Sequence, residues 1–245
     1  MKTYIDSVRL KGEIDKESYI AELPAVKFLA AGGKIDTSAP VTVFVGENGT
    51  GKSTLLEGIA VAFGFNPEGG SRNFDFSTAA THSGLFKHIS LTKRAYPKDG
   101  FFLRAESFYN VATYIDSIDD GDFIKGYGGV SLHEQSHGES FLSLALNRFR
   151  GRGLYILDEP EAALSPQSIM TLIAQMGRLT KEEDSQFIIA THSPMIMAFP
   201  GARVYEFSEE GIEEKDYRET EHFQLMKSFM QNPDRMMRYI LENEE

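Results

Sequence analysis

The sequence predicts an α/β fold built on a mostly parallel central sheet, and three stretches carry that prediction. An apolar strand, Val41 to Val45, runs into a glycine-rich loop and then a helix; a second, Leu154 to Asp158, ends in paired carboxylates; a third, Gln186 to Ala190, delivers Thr191, His192, Ser193 and Pro194. Continuous apolar runs separated by helical periodicity are the pattern of strands covered on both faces, which is how parallel sheets are built. The 245 residues suffice for one large domain with a substantial core, and a single domain spanning residues 1–245 is expected.

Composition narrows the chemistry. With no cysteine, a disulfide framework, a thiolate zinc cluster and a thiol nucleophile are all excluded. The opening stretch MKTYIDSVRLKGEIDKE is charged, and no run approaches the length needed to cross a bilayer, so no membrane segment is expected and the protein is read as soluble and cytoplasmic. A net charge of −11 with scattered Lys and Arg does not support direct DNA binding.

Residues 1–45 alternate polar and apolar in short runs, Tyr4, Ile5 and Val8, then Tyr19, Ile20 and Leu23, which predicts a small antiparallel β region. Phe28 is read either as a core aromatic or as a ring for stacking on adenine. The loop after the first buried strand is Gly46, Glu47, Asn48, Gly49, Thr50, Gly51, Lys52, Ser53, Thr54, which satisfies GxxxxGK[ST] between a strand and a helix. Its glycines let successive N–H groups turn inward beside a helix N-terminus, where phosphate binds. Lys52 can reach the β- and γ-phosphates, and the Ser53 hydroxyl can take one position on magnesium.

Ser53 to Phe63 then predicts a helix buried on most of its surface and ending at Gly64. Asn66 to Ser83 is a long loop, Phe101 to Tyr109 a strand, and Val111 to Ile118 apolar but irregular. No heptads occur in residues 66–130, so no coiled-coil arm is inserted. Residues 84–150 end in SLHEQSHGESFLSLALNRFR, where Ser136, Gly138 and Glu139 cap a helix from Ser140 to Phe149; a capped helix N-terminus is either simply that or an anion site.

Asp158 at a strand end can hold magnesium, since ligands collect at the carboxyl edge of such sheets. Its neighbour Glu159 leaves the strand in the opposite sense and is free to orient or deprotonate an attacking water. Glu161 is assigned to the following loop without a role, and a helix is expected from Pro166 to Leu179. His192 can hydrogen-bond the γ-phosphate or the water. Residues 201–245 predict two strands, Arg203 to Phe207 and Ile212 to Tyr217, then helices from Thr220 to Met230 and Pro233 to Glu242, either packed on the domain or facing a partner.

Together these residues resemble the ATP-binding-cassette ATPase superfamily of P-loop NTPases, over Val41 to Pro194. GENGTGKST is similar to its Walker A motif, SHGES to its signature, LYILDEP to its Walker B with catalytic glutamate, ATHSP to its switch histidine, and Ala162 to Ser165 fall at its dimer-contact loop. Asn48 and the SxGE-type signature resemble the chromosome-maintenance and RecF-like branch, nearest to small stand-alone bacterial ATPases with DEPEAALSP and QSHGES. The resemblance implies Mg2+-dependent ATP hydrolysis in a head-to-tail homodimer. Lys52, Ser53, Asp158, Glu159 and His192 of one subunit would face Ser136, Gly138 and Glu139 of the other, with room for an unidentified protein partner. It also implies a metal-sensing glutamine, but no glutamine occurs between Lys52 and Gln135; Glu106 or Ser107 is the substitute expected. A transporter's nucleotide-binding subunit, or a switch with little turnover, are the alternative readings.

Overall fold

The computed structural model describes residues 3–72, 83–105, 108–117 and 131–242. A six-stranded sheet forms its centre: β3 (Val41–Gly46), β5 (Asp99–Arg104), β6 (Gly153–Asp158), β7 (Gln186–Ala190), β8 (Arg203–Ser208) and β9 (Gly211–Lys215), in the order β5-β6-β7-β3-β8-β9. All neighbours are parallel except the β8–β9 hairpin. Side-chain alternation sends Val43, Leu103, Tyr155, Leu157 and Ile189 to one face, and Phe44, Phe102, Ile156 and Ile188 to the other. Both faces are therefore core, as the unbroken apolar runs predicted.

The first face is covered by α4 (Phe108–Ser117), α5 (His137–Arg148), α6 (Pro166–Glu182) and α7 (Pro194–Met197). The second is covered by α2 (Pro24–Ala30), α3 (Lys52–Phe63) and a three-stranded antiparallel sheet of β2 (Ile35–Asp36), β1 (Ile5–Leu10) and β4 (Ile89–Lys93). One buried amide joins the two sheets. Gln186 Oε1 accepts from the N–H groups of Tyr4 (2.7 Å) and Ile5 (2.9 Å), and its Nε2 donates to the carbonyls of Ile5 (2.8 Å) and Thr37 (2.6 Å). A primary amide offers two donors and two lone pairs, and here all are used without water.

The structure departs from the sequence expectations in two places. Residues 19–30 are helical rather than extended, in α1 (Tyr19–Glu22) and α2, because Pro24 starts α2 at its first position and buries Ala25, Val26 and Leu29. The strand expected from Phe101 to Tyr109 stops at Arg104. Phe108, Val111, Ala112 and Ile115 then bury one stripe of α4, a 3.6-residue period where irregular chain was expected. The order of the strands was not stated by the sequence: β7 lies between the acidic strand β6 and the phosphate-loop strand β3.

The C-terminal elements fall close to expectation, as β8, β9, α8 (Glu221–Gln231) and α9 (Pro233–Glu242). Here α8 buries no residue fully, and Leu225, Met230, Tyr239 and Leu241 are exposed. The start of the pair is tied down: Thr220 is buried, and the Glu221 N–H donates to Glu206 Oε1 at 2.7 Å.

Candidate functional site

The carboxyl ends of β3, β6 and β7 converge on one edge of the sheet, and the loop after β3 is shaped by its glycines. Gly46 has φ 132° and lies so close to β8 that a Cβ would stand 2.1 Å from the Phe207 carbonyl oxygen. At Gly51, with φ 95°, a Cβ would stand 3.2 and 3.3 Å from the Cβ atoms of Ala25 and Leu23, and the Ala25 N–H donates to the Thr50 carbonyl. The N-terminus of α2 thus buttresses the loop, a contact the motif did not announce. Thr50 Oγ1 closes the turn onto the Glu47 carbonyl at 2.8 Å, while Glu47, Asn48 and Gly49 stay exposed.

Lys52 is buried, its ammonium donating to the carbonyls of Gly46 and Glu47 at 2.7 Å each. Burial lowers its pKa, against the opposing charges of Glu159, Asp158, Glu161 and Glu47. Thr54 follows on the first turn of α3, half-buried. Although β7 intervenes between the strands, α3 crosses it far enough for Ser53 Oγ to donate to Asp158 Oδ1 at 2.9 Å. The sequence-predicted metal pair is therefore in contact.

No group of three or more His, Cys, Asp or Glu side chains among the described residues could hold a metal ion. One hydroxyl and one carboxylate suit magnesium, which keeps waters and substrate phosphates as its remaining ligands.

Glu159 has φ 50°, an αL conformation that is uncommon for a residue of this type and is held by its N–H donating to the Ala190 carbonyl at 2.9 Å. Its carboxylate stands 3.7 Å from His192 Nε2. Burial first, then the charge of Lys52, lowers the His192 pKa below the usual 6.5, although Glu159 and Glu161 pull the other way. The neutral imidazole is thus favoured, and at 3.7 Å it is near Glu159 without a hydrogen bond.

Glu161, expected to have no role, accepts a hydrogen bond from the His192 N–H, and its other oxygen is buried without a hydrogen-bond partner among the described residues. It joins the turn after Glu159 to the histidine loop. The His192 ring also meets His222 of α8 edge-on, at 5.5 Å between centroids.

The signature run sits elsewhere. Ser136 caps α5 in a reciprocal box: its Oγ accepts from the Glu139 N–H, and Glu139 Oε2 accepts from the Ser136 N–H at 3.1 Å and its hydroxyl at 2.6 Å. Hydrogen bonds from the Ser136 side chain and then its backbone hold the Glu139 carboxyl below its ordinary pKa. Gly138 abuts the turn after Glu159, since a Cβ there would lie 2.7 Å from the Ala163 carbonyl oxygen. The run is tied to α4 by Ser131 donating to Asp116 and by His133 against Thr113 and Tyr109.

Phe28 is half-buried against the second-face core, within reach of Gly33, and so fits the core reading. Glu106 and Ser107 lie outside the described residues.

With this geometry in hand, the comparisons with known proteins place the chain. The AAA domain family matches residues 26–149, just over half of its length. The chain belongs to the AAA-domain family. A second AAA-domain description, which also names the AbiEii toxin and type IV toxin–antitoxin systems, matches residues 104–198 of this AAA-domain protein.

A Geobacter sulfurreducens protein named as an ABC transporter ATP-binding protein is 24% identical over 166 residues, covering 61% of this chain and 58% of that protein's length. Among solved structures, an inward-facing metal-chelate type ABC transporter superposes with a TM-score of 0.54 at 14% identity, covering 91% of this chain and 88% of that one. The cbiO1 protein of Clostridium perfringens, part of the ABC transporter complex cbiONQ, gives 0.52 at 15% identity, covering 98% and 100%. The AAA-domain protein therefore has the P-loop fold of the ABC ATPases. No helix among its described residues is long and apolar enough to cross a membrane.

Proposed function

We propose that this protein binds Mg·ATP at the carboxyl edge of its sheet and hydrolyses it between two copies arranged head to tail. The observation that carries this is the Ser53–Asp158 hydrogen bond, which sets the phosphate-loop hydroxyl against the strand-end carboxylate with Glu159 and His192 alongside. The loop N–H groups and Lys52 take the β- and γ-phosphates, while Ser53 and Asp158 are the residues that would hold magnesium, which neutralises phosphate charge when bound. Glu159 orients and deprotonates the attacking water, and neutral His192 holds the γ-phosphate or that water in place. The partner's Ser136, Gly138 and Glu139 cap the nucleotide from across the interface. Asn48 and the SHGES run favour the chromosome-maintenance and RecF-like branch, and the reading is of a stand-alone cytoplasmic ATPase coupled to an unidentified protein.

The test is Glu159→Gln, which keeps size and hydrogen bonding while removing basicity. Turnover should fall by about 10²-fold or more. Light scattering should show a dimer with ATP and magnesium and a monomer without nucleotide. A variant that stays monomeric in saturating ATP would refute the two-copy arrangement.

A second reading, a transporter's nucleotide-binding subunit, is favoured by the name of the Geobacter relative. It predicts a stable complex with a membrane component in place of an ATP-dependent homodimer.

A further inference from the structure

Ser53 and Asp158 form a square with Glu57 and Arg104, two largely buried charges to which the proposed function gives no role. Ser53 and Glu57 lie four residues apart on α3 and share a face. Arg104 and Asp158 end neighbouring parallel strands as register partners. Across the square, Ser53 Oγ donates to Asp158 Oδ1 at 2.9 Å and Arg104 Nη1 to Glu57 Oε2 at 2.7 Å, while Arg104 Nε stands 3.6 Å from Asp158 Oδ2. Beyond it, the Ser83 N–H and hydroxyl donate to Glu57 Oε1 at 2.8 and 3.0 Å. The side chains are only 6% (Asp158), 8% (Glu57) and 17% (Arg104) exposed.

An ionised carboxylate is costly to bury without a partner, and Glu57 sits mid-helix among Leu55, Leu56, Ile59 and Ala60. Its hydrogen bond fixes one end of the Arg104 guanidinium, and Nε then stands 3.6 Å from the carboxylate at the neighbouring strand end, an ion-pair distance rather than a hydrogen bond. The two oxygens of Asp158 are thereby distinguished, Oδ2 toward the guanidinium and Oδ1 toward Ser53.

We propose that Arg104, anchored by Glu57, is a positioning residue for this carboxylate: it takes the Oδ2 side of Asp158 so that Oδ1 is presented to Ser53 and to magnesium. The inference rests on the reading that Ser53 and Asp158 hold the metal. In this reading Arg104 acts through Asp158 and is not itself a ligand of the metal or the phosphates. A guanidinium that merely neutralised two buried acids would have a different signature. Its loss would raise the local negative charge and so keep or strengthen cation binding.

The experiment compares ATP affinity by calorimetry in Mg2+ and in EDTA, with thermal unfolding of the nucleotide-free protein, for the wild type, Arg104→Gln and Arg104→Gln/Glu57→Gln. The quantity read is the gain in affinity that magnesium confers. Arg104→Gln should cut that gain at least tenfold while leaving affinity in EDTA within twofold. The double variant removes the carboxylate stranded by the single change, so it should recover the unfolding midpoint yet keep the depressed gain. If the single variant does not fold, the double variant carries the test.

A gain that is kept or raised in Arg104→Gln, an equal loss in EDTA and in Mg2+, or a double variant that recovers gain and midpoint together would each overturn the proposal. A wild type with no magnesium gain would instead overturn the assignment of Ser53 and Asp158, and the role of Arg104 with it.

Discussion

The phosphate-loop edge and the signature run are built in opposite ways. At the edge, side chains from α3, β6 and the loop after β7 reach for one another, with Ser53 on Asp158, Glu161 on the His192 backbone, and Lys52 inside its own loop. In the signature run the polar groups are closed locally: Ser136 and Glu139 satisfy each other, and Ser131 and His133 bind back to α4. One region is an internally wired site; the other is a rigid, pre-capped surface. The difference teaches that two motifs of one chain can be finished differently, one by side chains that meet across elements and one by a local cap, and the two-copy reading proposed above uses the second as the face that meets a partner.

Variants can break that contrast. The largest effect is expected from Lys52→Ala, which removes the charge that meets phosphate; ATP affinity by calorimetry should fall by about 10²-fold or more, at roughly 1.5–3 kcal/mol per charged hydrogen bond. Unchanged affinity would remove Lys52 from the site. Ser136→Arg in the Glu159→Gln background should abolish the ATP-dependent dimer in light scattering, while ATP still binds each monomer through the untouched Lys52 loop, more weakly than its parent by the amount that dimerisation contributed. A double variant that dimerises as well as Glu159→Gln would show that Ser136 does not act in trans.

Gln186→Leu tests the frame that both regions share. The buried N–H groups of Tyr4 and Ile5 lose their acceptor, at about 3 kcal/mol or more in denaturant unfolding, with ATP affinity per folded molecule unchanged. The smallest effect concerns His192. Because its folded pKa lies below 6.5, the unfolded chain takes up the proton more readily, so stability is lost as pH falls below 6.5 toward the folded value. Replacing His192 with Gln should shrink the drop in unfolding midpoint between pH 7.5 and 5.0 by roughly 1–2 °C, and an unchanged drop would show that His192 charges freely in the fold.

The motif-bearing strands were legible because a buried strand and the polar residues at its end are adjacent in sequence; β7 fell on the predicted residues, Gln186 to Ala190. The order of the strands was not. Nothing local states that β7 separates β6 from β3, so the reach of Ser53 to Asp158 had to come from the crossing of α3. The α4 stripe was present at positions 108, 111, 112 and 115, but Phe, Val and Ile also favour strands, and packing against the sheet decided the matter. Arg104, Glu57 and Glu161 were illegible for another reason. A charge shows its partner only when register and helix phase are known, and a glutamate within a helix or a turn reads like any solvated one. The exposed apolar side chains of α8 and α9 were visible at helical spacing, yet spacing alone could not say that so few of them would find the core.

The Gln186 amide has a consequence for how the chain is made. Its partners at Tyr4 and Ile5 lie 182 and 181 residues upstream, so the first strand leaves the ribosome long before the residue that satisfies its N–H groups exists. At about 5–20 residues per second the interval is roughly 10–40 s, during which β1 must wait unpaired or pair only with β2 and β4 of its own small sheet. Closure of so long a loop is entropically late, and docking of the small sheet onto the large one is therefore expected to be a late event that waits for β7. The newborn chain would then be open to chaperones and proteases through its N-terminal strand until β7 is complete.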